Sequence, residues 1–151
     1  MFKLLRGCKE MVVKQLSVFL ANKAGRLTEL TGILGDAGIN MSALSIADTS
    51  EFGIIRIVVS DPEKALQILK ENNFSVSLTD VVCISTANQP GALARGLEVL
   101  SAEHISVEYM YAFSIGEQAF IIIKTENINK TIEVLGEHNI QLLTASELYN
   151  I

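Results

Sequence analysis

Asn22-Lys23-Ala24-Gly25-Arg26-Leu27 returns 66 residues later as Asn88-Gln89-Pro90-Gly91-Ala92-Leu93. The shift holds without a gap. Ile39 meets Ile105, Glu51 meets Glu117, Ile55 and Ile57 meet Ile121 and Ile123, Leu69 meets Leu135, and Asn73 meets Asn139. Aligning 14–79 with 80–145 gives 13 identities in 66 pairs. The identity is thin, but the ungapped register and the matched apolar classes make the chain a duplication. Two sister copies can face one another, and the seam between them is a natural place for a ligand.

Each copy reads strand, helix, strand, strand, helix, strand. In the first, Gln15–Leu20 alternates, with Leu16, Val18 and Leu20 on one face. A helix from about Arg26 to Ala37 carries Leu27, Leu30, Thr31 and Leu34 on one stripe, and Gly38 follows its end. Strands at Ile39–Ala47 and Gly53–Val59 flank a turn at Thr49–Phe52. Asp61 suits an N-cap and Pro62 a first helical position, and Phe74–Leu78 closes the copy as a strand.

The second copy repeats the order. It has strands at Val81–Thr86, Ile105–Phe113, Ala119–Thr125 and Ile140–Thr144, and helices at Ala92–Ala102 and Asn129–Glu137. The order βαββαβ is the ferredoxin-like split unit, an α+β fold with an antiparallel sheet and both helices on one face. The expected organisation is an N-terminal extension over 1–10, a first domain over 11–78 and a second over 79–151. Thr79-Asp80 is nearly the whole connection between them.

Composition narrows the function. Apolar residues make up 49% and charged residues 19%, so there is much to bury and little surface to charge, which points to a homodimer. Phe120-Ile121-Ile122-Ile123 is apolar on both faces, and Ile54 and Val58 repeat this in the first copy. A second chain laid against the open sheet face is the expected cover. A net charge of −5 with no basic stripe argues against nucleic acid. Cys8 and Cys83 match neither a zinc site nor a redox pair, and cytoplasmic reduced thiols are the expectation. The leader's apolar part is too short for a signal sequence or a membrane span.

The repeated Asn-x-x-Gly-x-Leu carries the chemistry. Its glycine permits a turn that a side chain would obstruct. The helix behind it turns its free N–H groups and positive end outward, which suits a carboxylate. The asparagine offers a donor and an acceptor, enough for both ends of a zwitterion, or it stabilises the turn alone.

His104 and His138 lack acidic or thiol companions at ligand spacing, so no metal is expected, and they read as helix-end residues. Tyr109, Tyr111 and Phe113 alternate along one strand and read as a packed sheet face. No nucleophile, base and orienting group recur together and no phosphate loop is present, so neither catalysis nor a cofactor is expected.

The fold order, the Asn-x-Pro-Gly-x-Leu loop at Asn88–Leu93, its variant at Asn22–Leu27 and Ile39-Asn40-Met41 together resemble ACT domains. Residues 12–150 are similar to a tandem ACT protein without an attached enzyme. The resemblance implies regulatory binding of a free amino acid. In the family, domains commonly pair side by side through their second strands, with effectors at that seam. On this chain it implies a better site from Asn88, Pro90, Gly91, Ala92 and Leu93 with Asn40, Met41 and Ser42. It implies a weaker one from Asn22, Ala24, Gly25, Arg26 and Leu27 with Ser106, Val107 and Glu108.

Ala24 stands where the family has proline, and Ser106 replaces the asparagine found at Asn40. The alternative implied by those departures is a ligand-free interaction or dimerisation module serving a partner enzyme.

Overall fold

In the computed structural model, which describes residues 2–21, 23–48 and 52–151, the elements run α1 (Phe2–Met11), β1 (Val13–Ala21), α2 (Arg26–Asp36), β2 (Met41–Asp48), β3 (Phe52–Val59), α3 (Pro62–Glu71), β4 (Ser75–Ala87), α4 (Ala92–Ala102), β5 (Val107–Ile115), β6 (Gln118–Thr125), α5 (Ile128–Glu137) and α6 (Ala145–Tyr149). The chain divides into two units. The first is Lys14–Thr79 with Tyr149–Ile151, and the second is Met1–Val13 with Asp80–Leu148. The Asn22 position and most of the Thr49–Phe52 turn, Glu51 included, lie outside the described residues.

In the first unit the strands are ordered β2-β3-β1-β4, the ferredoxin-like arrangement. The antiparallel register sets Leu16 opposite Ile57, Val18 opposite Ile55, and Leu44 and Ile46 opposite the same two isoleucines. Leu30 and Leu34 of α2 and Ala65 and Leu69 of α3 close over Leu16, Val18, Leu20 and Phe74 as one core. Asp61 caps α3 by accepting a hydrogen bond from the Lys64 N–H at 3.2 Å, with Pro62 at the first turn. Leu27, expected on the buried stripe of α2, is exposed near its start.

The second unit repeats this with β4-β6-β5 and the core of Val82, Ile84, Leu100, Ile121, Ile123, Ile132 and Leu135. The leader is helix α1, which packs on α5, and Cys8 and Met11 lie against this core. All four long helices after α1 end alike. Gly38, Asn73, His104 and Asn139 take φ of 72°, 65°, 55° and 57°. In each case the next N–H reaches back to a leucine carbonyl, at Leu34, Leu69, Leu100 and Leu135. His104 therefore occupies the left-handed cap that Gly38 fills in the first copy.

Three expectations are corrected. Phe74–Leu78 and Val81–Thr86 do not form separate strands, because Thr79-Asp80 brings no glycine or proline to break the chain and β4 runs on from Ser75 to Ala87. Ile140–Thr144 is reduced to a bridge between Leu142 and Ile84. There the chain leaves the sheet at a capping box. The Thr144 N–H donates to Glu147 Oε2 at 2.7 Å, and the Glu147 N–H donates to Thr144 Oγ1 at 3.2 Å, which starts α6.

The open sheet face also departs from expectation. Ile122 points away from the core residues Ile121 and Ile123, yet it is fully buried within the single chain, in register with Cys83 and Tyr111. Val58 is fully buried as well. Neither needs a second chain to cover it. What stays exposed on the first unit's open face is Phe19, Phe52 and Ile54, with Phe19 and Phe52 stacked at 5.0 Å.

Candidate functional site

The Asn88–Leu93 loop is held by its own backbone. The Asn88 N–H donates to the Glu117 carbonyl at 2.8 Å, and its Nδ2 reaches the Gly116 carbonyl at 3.4 Å. The asparagine thus ties the loop to the β5–β6 turn, and its side-chain oxygen accepts from no described residue. The Gln89 N–H bonds back to Ala87 and the Ala92 N–H to Gln89.

Gly91 then stands before α4 at φ 83°, a left-handed conformation that an L side chain resists. No side chain caps this helix. The Arg95 N–H returns to the Gly91 carbonyl at 3.2 Å, while the amides of Leu93 and Ala94 find no acceptor among the described residues. An uncapped first turn with open N–H groups favours an anion. Asn88, Pro90 and Gly91 are exposed, Ala92 is buried and Leu93 half-buried.

The first copy builds the same bend, with Gly25 at φ 91° before α2 and again no side-chain cap. Its chemistry is spent differently. Arg26 donates to Glu29 Oε2 at 2.7 Å and lays its guanidinium 4.4 Å from the centre of the Phe74 ring. Arg26 is therefore occupied inside its own unit. Ala24 and Gly25 are exposed and Leu27 is 39% exposed.

The residues opening the second strands sit at irregular edges. Asn40 is pinned to Ser60 twice: its N–H donates to Ser60 Oγ at 3.0 Å, and its carbonyl accepts from the Ser60 N–H at 2.9 Å. Met41 packs against the first core, and the register shifts between Met41 and Ala43. Ser42 sits in that bulge, and its Oγ is buried without a hydrogen-bond partner, unlike other described buried side-chain groups.

The second copy bulges at the same place, between Val107 and Tyr109. Ser106 is exposed, Val107 packs on the second core, and Glu108 lies 3.5 Å from Lys124 Nζ. β2 pairs with β3 and β5 with β6, each with one strand neighbour in its unit. Each expected site would draw its two halves from different units.

Sequence reading missed a cavity of about 200 Å³ inside the second unit. It lies between the first turn of α4, the end of β4 and the segment Asn139–Gln141, with Arg95, Leu93, Gly96, Ile84, Ile121 and Ile140 in its wall. The signal was present in the repeat, as Gly96 stands where the first copy has Leu30.

Among the described residues no group of three His, Cys, Asp or Glu side chains could hold a metal. Burial pushes the Cys83 thiol from 9.0 up to about 12, against a smaller lowering by a backbone hydrogen bond from Ile121, so it is a poor nucleophile. The Tyr109, Tyr111 and Phe113 stripe is half-buried, with Phe113 and Phe120 5.2 Å apart, as a packed face requires. No helix among the described residues is long and apolar enough to cross a membrane.

Comparison with known proteins places this geometry. The family model described as an ACT domain pair matches residues 11–151. The crystal structure of protein BT0572 from Bacteroides thetaiotaomicron is 54% identical, with a TM-score of 0.91, over 93% of this chain and 98% of that one. The ligand-free regulatory subunit of aspartate kinase from Thermus thermophilus superposes with a TM-score of 0.62 at 13% identity, over 86% and 95%. That of Thermus flavus gives 0.55 at 15%, over 83% and 92%. At those two identities the likeness is one of fold. No curated protein matches the chain. With the duplicated βαββαβ order and the Asn-x-x-Gly-x-Leu bends, this match over nearly the whole sequence means that the chain belongs to the ACT domain pair family.

Proposed function

We propose that the chain is a non-catalytic, cytoplasmic regulatory protein that binds a small free amino acid at the seam of its ACT domains. The observation that carries this is the first turn of α4. There Gly91 holds a left-handed bend, no side chain caps the helix, and the Leu93 and Ala94 amides are open to a carboxylate. The side-chain oxygen of Asn88, which accepts from no described residue, suits the ammonium of the same ligand.

The better site combines Asn88, Pro90, Gly91, Ala92 and Leu93 with Asn40, Met41 and Ser42. The buried, unpartnered Ser42 hydroxyl supports the inclusion of the second strand. The weaker site combines Ala24, Gly25, Arg26 and Leu27, and Asn22 beside them, with Ser106, Val107 and Glu108. It is weaker because Arg26 is already engaged with Glu29 and Phe74. That the similar Thermus structures are regulatory subunits of aspartate kinase accords with a regulatory role.

A thermal-shift screen of the twenty amino acids tests the reading. A ligand at 100 times its Kd adds about 2.7 kcal/mol of stability. Flat melting curves for all twenty would remove the amino acid from the account.

A second reading, a ligand-free module that dimerises or docks on a partner enzyme, is favoured by the exposed Phe19, Phe52 and Ile54. Sedimentation of Phe19→Ser against the unaltered chain tests it, since a docking face built on Phe19 loses its assembly in the variant.

A further inference from the structure

The duplication supplies an internal control for the cavity in the second unit. Shifted by 66 residues, its wall maps onto positions that are filled in the first unit. Gly96 corresponds to Leu30, which is fully buried in the first core. Ile140 corresponds to Phe74, 4% exposed, and Thr86 to Leu20, 5% exposed. Arg26, on the first turn of α2, closes over the Phe74 ring. Where the first copy sets large buried side chains, the second leaves a hollow.

The hollow is not a packing fault that the chain lacked means to fill. A Cβ placed on Gly96 would meet only Ile84 Cδ1, at 3.8 Å, which is ordinary contact. Glycine in a helix interior costs about 0.8–1.0 kcal/mol against alanine. The second copy therefore carries a helix-weakening residue where a larger one fits.

The charge beside the cavity has changed as well. Arg95 stands where the first copy has Glu29. Its guanidinium curls over the start of α4, with Nη1 3.7 Å from the position a Gly91 Cβ would take. It makes no hydrogen bond or ion pair with another described residue. Ile84, Ile121, Ile140 and Leu93 give the cavity an apolar floor. Ser85, Thr86, Asn139 and Gln141 complete its wall, it opens to solvent on one side, and its volume of about 200 Å³ has room for a short branched chain.

We propose that this cavity, within the second unit alone, binds a small aliphatic carboxylate, its carboxylate on Arg95 and its branched chain on the isoleucine floor. This site goes beyond the seam reading and uses neither Asn40 nor any other first-unit residue.

The test is a methyl and amide NMR titration of the full chain with 4-methylpentanoate, with 4-methylpentanamide as the uncharged control. The acid should shift the Ile84, Ile121 and Ile140 methyl signals saturably, and the amide at least tenfold more weakly. Arg95→Gln, an exposed position, should weaken the acid about tenfold or more, as loss of a charge-assisted hydrogen bond does. Gly96→Leu with Ile140→Phe, which restores the first copy's residues, should raise the melting temperature and abolish the shifts.

Asn40→Ala should leave the titration unchanged. The absence of saturable shifts, or shifts that persist when the cavity is filled or when Arg95 is neutralised, overturns the proposal. Should the filled variant fail to fold, Arg95→Gln and the amide control still decide it. An amino-acid response lost in Asn40→Ala, with no saturable 4-methylpentanoate shifts, would leave the seam reading standing and this one refuted; saturable 4-methylpentanoate shifts with no amino-acid response would do the reverse.

Discussion

Thr125 Oγ1 and Thr131 Oγ1 lie 2.6 Å apart, and both residues are fully buried. Thr131 also donates to the Asn127 carbonyl at 2.8 Å, so Thr125 is the donor between the two hydroxyls. The first copy has Val59 and Ala65 at these positions, both fully buried. The same β6–α5 junction is thus polar in one copy and apolar in the other.

The two threonines should respond unequally to replacement. Thr131→Val leaves the Thr125 hydroxyl buried without an acceptor and should cost about 1–3 kcal/mol in urea unfolding. Thr125→Val leaves Thr131 bonded to Asn127 and should cost under about 1 kcal/mol. The double variant should recover most of the Thr131→Val loss. Equal costs, or simple additivity, would contradict the hydrogen-bond assignment.

Much of this fold was readable because two periodicities repeat in register. Helix α4 runs from Ala92 to Ala102, as its apolar spacing predicts. Asp61-Pro62 marks the start of α3. What escaped reading was set by context. Thr79-Asp80 marks the repeat boundary in sequence but has no effect on a strand that can continue across it. Thr144 reads as the end of a β run until Glu147 is recognised as its capping partner. Asn127 caps α5 by accepting from Lys130, so the helix starts at Ile128, one residue before the expected Asn129.

For the site, the loop and its glycine were legible from the repeat alone. The engagement of Arg26 with Phe74 was not, because the two are 48 positions apart in sequence and meet only through the packing of α2 against the end of α3. The burial of Ile122 escaped for the same kind of reason, since alternation says that a face is covered and not by what.

His104 sits at φ 55° where the first copy places Gly38. An L side chain in this region costs about 1–2 kcal/mol, and glycine's greater freedom in the unfolded chain returns part of it. His104→Gly should therefore stabilise the protein by about 0.5–1 kcal/mol in thermal unfolding, without altering ligand response. Destabilisation would mean that the imidazole itself holds the cap.

Cys83 gives the alkaline limb a definite sign. Below pH 9.0 its thiol is protonated in both the folded and the unfolded chain. From pH 9.0 to about 12 the unfolded thiol ionises while the buried one does not, so stability falls as pH rises through that window. Urea midpoints measured from pH 8 upward should fall more steeply for the native chain than for Cys83→Ala. Parallel slopes would show that the buried thiol contributes nothing to alkaline unfolding.

Asn88 is exposed and ties its loop to Gly116 by one long hydrogen bond. Asn88→Ala should change stability by less than about 1 kcal/mol. It should weaken an amino-acid ligand about tenfold, because the ligand's ammonium loses its acceptor. Calorimetric titration of the variant separates the roles, and unchanged affinity would return the side chain to loop anchoring alone.

The central claim is that the chain is an amino-acid-responsive regulator. Equilibrium dialysis against an equimolar mixture of the twenty amino acids, with both compartments quantified, tests it most directly. The account predicts retention of one or a few amino acids at up to two per chain, reduced in Asn88→Ala and in Asn40→Ala. Equal concentrations of all twenty on both sides of the membrane, with the protein folded, would contradict it.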